Sequence, residues 1–422
     1  MPHGGQHSLS IDGLKSLAAL LIVLHHLAFY GPMADRAGVL LPWLRDWLAG
    51  DARMAVQVFL VIGGFLAARG LAASGSQAPA PLLPIVRNRF LRLALPYYVV
   101  LLLAVACNEL ARGWMPHDSI SASPGAGQLL AHALLLQDVL GYESLSAGLW
   151  YVAIDLQLFV LLAVLWRAGG HLDAALRKRL ARRAVHSPML LVSLMALASQ
   201  LYFNRVPELQ TWGVYFFGSY ALGVLAWWAC TRTHPAWWLA GIAACTAGAL
   251  VVSFRERLVV ALLVAVVLGL AAWRSRITGS IPPRRGNAAA VRPGLGLGPQ
   301  AAVHWFAGIS YAVFLVHFPV CLVINAAFTR FAPPDPAWQL AGLVVAVAAS
   351  VAAGAIFHAW GEAPLLRWLK RRRGAGSRAA DRAPARLAGT VGHHLSDPPA
   401  PALQPGAASA AIAAHHSGGG AN

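Results

Sequence analysis

The sequence predicts an all-α chain that crosses a membrane about ten times, and three observations carry that reading. Of 422 residues, 58% are apolar and only 12% charged, against about 25% charged in a soluble domain; mean hydropathy is +0.59. Apolar runs recur from Leu14 to Trp360, each bounded by Arg, Pro or Trp, and about 20 such residues suffice to cross the hydrocarbon core. Basic residues gather on alternate connections, as they do where loops fix orientation. Disordered, fibrous and disulfide-scaffold classes are excluded.

The first span, 13–30, follows a segment without Lys or Arg and runs through His25, His26 and Tyr30 with no small-residue cleavage site. It is expected to be retained and not removed as a signal peptide. Span 52–71 carries Arg53 at its start and Arg69 near its end; 90–110 follows Arg87 and Arg89; 148–167 ends at Arg167. Span 188–204 opens on Pro188 and stops before Arg205, and 212–230 opens on Trp212 and stops before Arg232. Spans 236–252, 257–273, 304–328 and 338–360 are delimited by Pro235, by Arg257 and Arg274, by Arg330, and by Trp338 and Trp360. The segment Gln128–Leu140 is apolar but too short to cross, so a re-entrant or interfacial helix is expected there.

Ten spans put both termini on one side. By this partition 25 of the 33 Lys and Arg fall on that side and 8 on the other, which makes the first side cytoplasmic. The formal charge of +17 would suggest nucleic acid in a soluble protein; here orientation accounts for it and no nucleic-acid partner is expected. Membrane lipids are the expected surroundings. Residues 1–373 read as one membrane domain. Residues 374–422, rich in Ala, Pro, Gly and Ser, read as a disordered cytoplasmic tail, because such a composition buries too little apolar surface to offset its ordering entropy. The connection 274–300, with its Pro-Arg clusters and glycines, reads as flexible. Cys107, Cys230, Cys245 and Cys321 all fall in apolar segments and read as small buried hydrophobes with no metal spacing. No metal site and no permanently bound cofactor are expected.

Ionisable groups at bilayer depth are costly and usually face a cavity or a partner. His25, His26, Asp155, His317 and His358 stand out. At 1.5 Å per residue, His26, Asp155 and His317 all come roughly 20 Å from the cytoplasmic boundary, so three helices are expected to bring polar groups to one level. His358 sits near the inner end of its span and reads as interfacial. His25 and His26 point about 100° apart on a helix, and the wholly apolar run before them leaves the choice between them open. Lys15, Arg69, Arg87, Arg89 and Arg92 group at the inner ends of the first three spans. They read either as topology determinants or as an anion site for a phosphate-bearing donor, since Arg presents a planar fork to phosphate oxygens.

The motifs themselves resemble those of the acyltransferase family 3 membrane proteins. "IDGLKSLAALLIVLHH" is similar to that family's first helix, with Asp12 in place, Lys15 at the usual Arg, and ten residues before His26, which selects His26 over His25. "VFLVIGGFLAAR" resembles the second-helix motif with Gly63 where Ser is usual, and "RNRFLRLALPYY" the basic start of the third. In "LWYVAIDLQLF", Trp150 and Gln157 match while Asp155 replaces a Glu. "ISYAVFLVHFPV" matches through Ser310, Tyr311, His317 and Pro319, and "GEAPLLRWLKRR" through Glu362. Spans five to eight are only generically apolar.

The resemblance implies O-acyl transfer, acetyl above all, from a cytoplasmic acyl-CoA to a hydroxyl of a surface glycan, a lipid or an exported small molecule, in a bacterial inner membrane. His26, Asp155 and His317 are the catalytic candidates, and Lys15, Arg69, Arg89 and Arg92 would hold the donor. Asp155 is expected to orient His26, as a carboxylate does in hydrolytic triads. The competing reading is a proton-coupled transporter or flippase, which would also place His and Asp at mid-membrane but consume no acyl donor. The oligomeric state is not legible.

Overall fold

The computed structural model describes residues 6–73, 81–180, 186–277 and 298–372. The elements named below belong to the unit that ends at Leu369. The predicted tail 374–422 and most of the connection 274–300 lie outside the described residues.

All regular elements among the described residues are helical: α1 (Gln6–Phe29), α2 (Pro32–Ala37), α3 (Pro42–Gly50), α4 (Val56–Ala73), α5 (Leu82–Arg112), α6 (Ala126–Ala133), α7 (Leu149–Leu180), α8 (Ser187–Leu201), α9 (Gly213–Cys230), α10 (Pro235–Val252), α11 (Glu256–Ile277), α12 (Pro299–Phe331) and α13 (Pro336–Phe357). Proline in the first turn starts α2, α3, α8, α10, α12 and α13, where its missing N–H costs nothing and its fixed φ suits the helix. Asp335 caps α13 by accepting from the Ala337 N–H at 2.9 Å. A π-turn over His358–Glu362 follows α13 and joins His358 Nδ1 to Glu362 Oε2 at 2.8 Å. The histidine read as interfacial therefore has a carboxylate partner.

Among the described residues, nine helices (α1, α4, α5, α7, α9, α10, α11, α12 and α13) are long and apolar enough to cross a membrane. The protein is an all-α polytopic membrane protein. The expected span 188–204 is the exception: α8 has 15 residues, about 22 Å. It nevertheless lies antiparallel between α7 and α9. Pro188 abuts Gly169 of α7, and at the other end Ser199 Oγ donates to the Val214 carbonyl at the start of α9, 2.7 Å away. In place of the expected helix at 128–140, α6 is helical only over Ala126–Ala133 and the rest of the segment forms turns.

The centre of the bundle is α9 and α12, whose faces are mostly buried, whereas α10 and α13 are peripheral. Helices α4 and α9 approach through reciprocal glycines. A Cβ on Gly64 would collide with the Tyr220 carbonyl, and one on Gly223 with the Val61 carbonyl. Small residues let backbones meet where lipid supplies no hydrophobic drive. The turn between α1 and α2 is set by Gly31, φ +105°, and is tied to α12 by Asn325, which accepts from Met33 N–H at 3.3 Å and donates to the Tyr30 carbonyl at 3.2 Å. That tie fixes α1 against α12 at the end of the bundle holding His26. Two cysteines depart from expectation: Cys107 is half-buried and Cys245 exposed on the outside of α10, while Cys230 and Cys321 are buried.

Candidate active site

Helices α1 and α12 bring His26 and His317 into direct contact. His26 Nδ1 lies 2.7 Å from His317 Nε2, with the rings nearly parallel at 3°. The other nitrogen of His317, Nδ1, lies 2.8 Å from the Phe314 carbonyl oxygen and 3.2 Å from that of Val313. A carbonyl only accepts, so with both rings neutral His317 Nδ1 carries hydrogen and its Nε2 is the acceptor. His26 must then donate through Nδ1, which leaves its Nε2 lone pair unprotonated. His25 is tied elsewhere, its Nδ1 2.9 Å from the Leu48 carbonyl of α3. Both histidines of the pair line the same cavity, although the helical angle between them argued against it. His25 is held toward α3 and His26 toward α12, and of the two only His26 meets His317.

That cavity, about 590 Å³, opens at the His26 end of the bundle. A second, about 310 Å³, lies toward the Lys15 end. Phe314 borders both. Between them stands a layer of three rings, Phe59 of α4, Tyr151 of α7 and Phe314 of α12, with centroids 5.2 to 6.2 Å apart. Phe314 is one turn from His317, so the layer and the histidine pair share one stretch of α12.

The inner cavity gathers Lys15, Arg89, Arg92, Asp155, Tyr311 and Glu362. Ser310 borders it as well and donates to the Ala307 carbonyl at 2.9 Å. Asp155 is not beside His26. Its two oxygens receive Arg89 Nη2 at 2.6 and 2.8 Å, and the guanidinium also lies 5.1 Å from the Phe159 ring. The expected common level of the three polar groups fails because α7 starts deep. Gly148, just before it, already packs beside His317 and the Phe314 carbonyl, so Asp155, seven residues on, is roughly 10 Å further toward the Lys15 end. Three polar atoms here keep unused capacity: Arg89 Nε, Tyr311 Oη and Tyr220 Oη are buried without a hydrogen-bond partner. Such orphans mark sites completed by something else. Arg69 is exposed and does not border the cavity, so the structure brings Lys15, Arg89 and Arg92 together without it.

The remaining motif residues hold the frame. Asp12 Oδ2 lies 2.7 Å from His304 Nδ1, joining α1 to α12. Gln157 accepts from Gly213 N–H at 2.8 Å and donates to the Thr211 carbonyl at 3.3 Å, fixing the start of α9 on α7. Trp150 faces the outer cavity, its ring 5.8 Å from that of Phe216. Sequence reasoning missed the rest of the outer cavity, including Arg53, Gln57 and Arg257, and it missed the ring layer. Arg53 and Arg257 had been counted only as minority charges on the outer side; the one available signal was that each opens a span.

A family model described as an acyltransferase domain matches residues 8–355. No curated protein and no solved structure matches the chain. The match runs through both histidines, the Arg89–Asp155 pair and the ring layer between the cavities, and the chain belongs to acyltransferase family 3.

Proposed function

We propose that the protein moves a short acyl group, acetyl first, from acyl-CoA held at the inner cavity to a hydroxyl presented in the outer one. The observation that carries this reading is the His26–His317 pair, which engages Nδ1 of a histidine bordering the outer cavity and leaves Nε2 as its basic nitrogen. His26 Nε2 takes the hydroxyl proton as the oxygen attacks the thioester carbonyl carbon. The tetrahedral adduct collapses with cleavage of the C–S bond, and the imidazolium returns its proton to the leaving thiolate. The products are an ester and free CoA.

His317 is a positioning residue in this scheme: it fixes the tautomer of His26. Lys15, Arg89 and Arg92 hold the donor phosphates, and Asp155 holds Arg89. The donor's uncharged arm reaches His26 when the ring layer parts. Asp118, Asp138, Glu143 and the serines around the outer cavity would meet a long alkyl chain with polar groups, which favours a short acyl group. In this reading the Lys15 end is cytoplasmic, since the partition of spans assigns 25 of the 33 basic residues to that side. The acceptor is a glycan, a lipid or an exported small molecule.

The test is mass spectrometry of surface glycans and lipids from cells carrying the intact chain or His26→Ala. Loss of one acyl mass in the variant, at equal protein level, is the expected result. Identical spectra, with CoA release from acyl-CoA also unchanged in membranes, would overturn the reading.

A further inference from the structure

Two arginines border the outer cavity, and proton removal from a hydroxyl requires neither. Arg53, in the turn before α4, and Arg257, the second residue of α11, both border it, and that turn packs on α11. Arg53 makes no ion pair or hydrogen bond among the described residues, and Arg257 meets only the Tyr215 hydroxyl and ring. Three carboxylates, Asp118, Asp138 and Glu143, border the cavity from the connection between α5 and α7, and none is within ion-pair distance of either arginine. Asp138 instead accepts from Gln137 Nε2 at 2.9 Å, and burial pushes its carboxyl above the ordinary range. Next to Arg257, burial and the neighbouring charges of Arg257 and Arg205 hold the Arg255 guanidinium below its ordinary value. Both cavity guanidiniums are therefore left without a carboxylate partner among the described residues.

The backbone adds to it. Helices α4, α7, α9 and α11 all begin at this cavity and turn first-turn residues toward it: Gln57, Trp150, Phe216 and Arg257. Each helix start carries about half a positive elementary charge, and such starts favour anions. Gln57 supplies an independent sign of a missing ligand. It is 5% exposed, borders the cavity, and its Oε1 has no hydrogen-bond partner. A ligand hydroxyl would satisfy it. Trp150 and Phe216, tilted by 37°, offer apolar faces to a sugar ring.

We infer that the acceptor is an acidic sugar unit, whose carboxylate or phosphate sits between Arg53 and Arg257 while its ring lies on Trp150 and Phe216 and a hydroxyl meets His26. The inference rests on the reading of the outer cavity as the acceptor site. Guanidinium forks match both anions, and the two sources are distinguished by experiment.

Full-length protein in neutral-lipid nanodiscs, without acyl donor, is titrated by saturation-transfer NMR with methyl β-D-glucuronide, glucose 1-phosphate and methyl β-D-glucoside. One anionic probe should bind about tenfold more tightly than the glucoside, with the advantage shrinking as salt rises. In Arg53→Gln/Arg257→Gln the advantage should fall below about threefold while glucoside affinity holds; Arg53→Lys/Arg257→Lys should retain part of it and controls for folding. Tighter glucuronide binding assigns a carboxylate, tighter phosphate binding a phosphate. Equal affinity for charged and neutral probes, a preference that survives the double Gln variant, or no saturable binding of either anion overturns the inference. Failure of the acyl-transfer reading would show separately, as normal anion binding by a protein that consumes no acyl-CoA.

Discussion

Two substitutions at His317 separate its positioning role from its packing. The residue is 0% exposed and its partner His26 8%, so no water replaces the 2.7 Å contact when the acceptor nitrogen is removed. In His317→Leu the His26 Nδ1–H is left buried and unpaired, which costs about 1–3 kcal/mol. The ring escapes that cost by moving its proton to Nε2, the nitrogen needed as base. If the productive tautomer is disfavoured by that amount, turnover falls about 5- to 150-fold. Loss of ring orientation adds to this, with about 10⁴-fold as the bound set by removal of an orienting group in hydrolytic triads. His317→Gln places an amide oxygen near the position of imidazole Nε2, accepts from His26, and should stay within about tenfold of the parent. The assay is acetyl-CoA consumption in proteoliposomes containing acceptor, with kcat and the donor KM measured separately and melting temperature as control. A fall in kcat at constant donor KM is expected for Leu. Normal turnover in His317→Leu, or a Gln variant as impaired as Leu with both proteins folded, would refute the tautomer argument.

Other expectations follow from the same geometry. A cysteine at Glu208 should react with an impermeant reagent from outside and one at Lys178 should not, because α8 lies antiparallel to both neighbours; the reverse at Glu208 means α8 does not cross. Asp155→Asn strands a partly buried guanidinium, 22% exposed, and should destabilise by about 1–3 kcal/mol, while Arg89→Gln/Asp155→Asn melts higher than Asp155→Asn alone; additive losses would deny the pairing. Lys15→Gln and Arg92→Gln should raise the KM for acyl-CoA and flatten its salt dependence, whereas Arg69→Gln should leave both unchanged. Phe314→Ala opens the ring layer and should raise acceptor-independent release of CoA; an unchanged rate would show that the layer does not exclude water.

The helices were legible because lipid imposes length and composition on anything that crosses it. Proline, arginine and tryptophan at the edges placed most ends within a few residues, but α1 and α5 begin seven and eight residues earlier than expected and α7 runs thirteen residues further, because helices continue past the apolar stretch into polar sequence. The exception, α8, reads as a span in sequence because Leu190 to Leu201 continues into Tyr202 and Phe203, but the helix stops at Leu201 and the chain turns into a short 3-10 helix over Phe203–Arg205. Within the site, His26 was legible through its family-like spacing from Lys15 and His317 through its motif, whereas their mutual contact was not, because the depth estimate paired His26 with Asp155. Asp155 was misplaced because depth counted from a span's first residue assumes that every helix starts at the membrane surface. A cavity that opens above α7 breaks that assumption. Arg53 and Arg257 escaped notice for a related reason: a charge at a span's edge looks the same in sequence whether it meets water or the wall of a pocket. The ring layer left no trace at all, as Phe59, Tyr151 and Phe314 are far apart in the chain and ordinary in composition.

That layer also decides where the membrane voltage falls. Two polar cavities enter from opposite ends, with exposed Arg92 at one and exposed Asp118 and Glu143 at the other, so the insulating thickness narrows to about that of a single layer of rings. Carrying one elementary charge across 100 mV involves about 2.3 kcal/mol. A donor whose phosphates stay at Lys15 and Arg92 sends only an uncharged arm across, and the energised membrane neither drives nor opposes its delivery. Turnover in proteoliposomes should therefore hold constant as a potassium diffusion potential is varied.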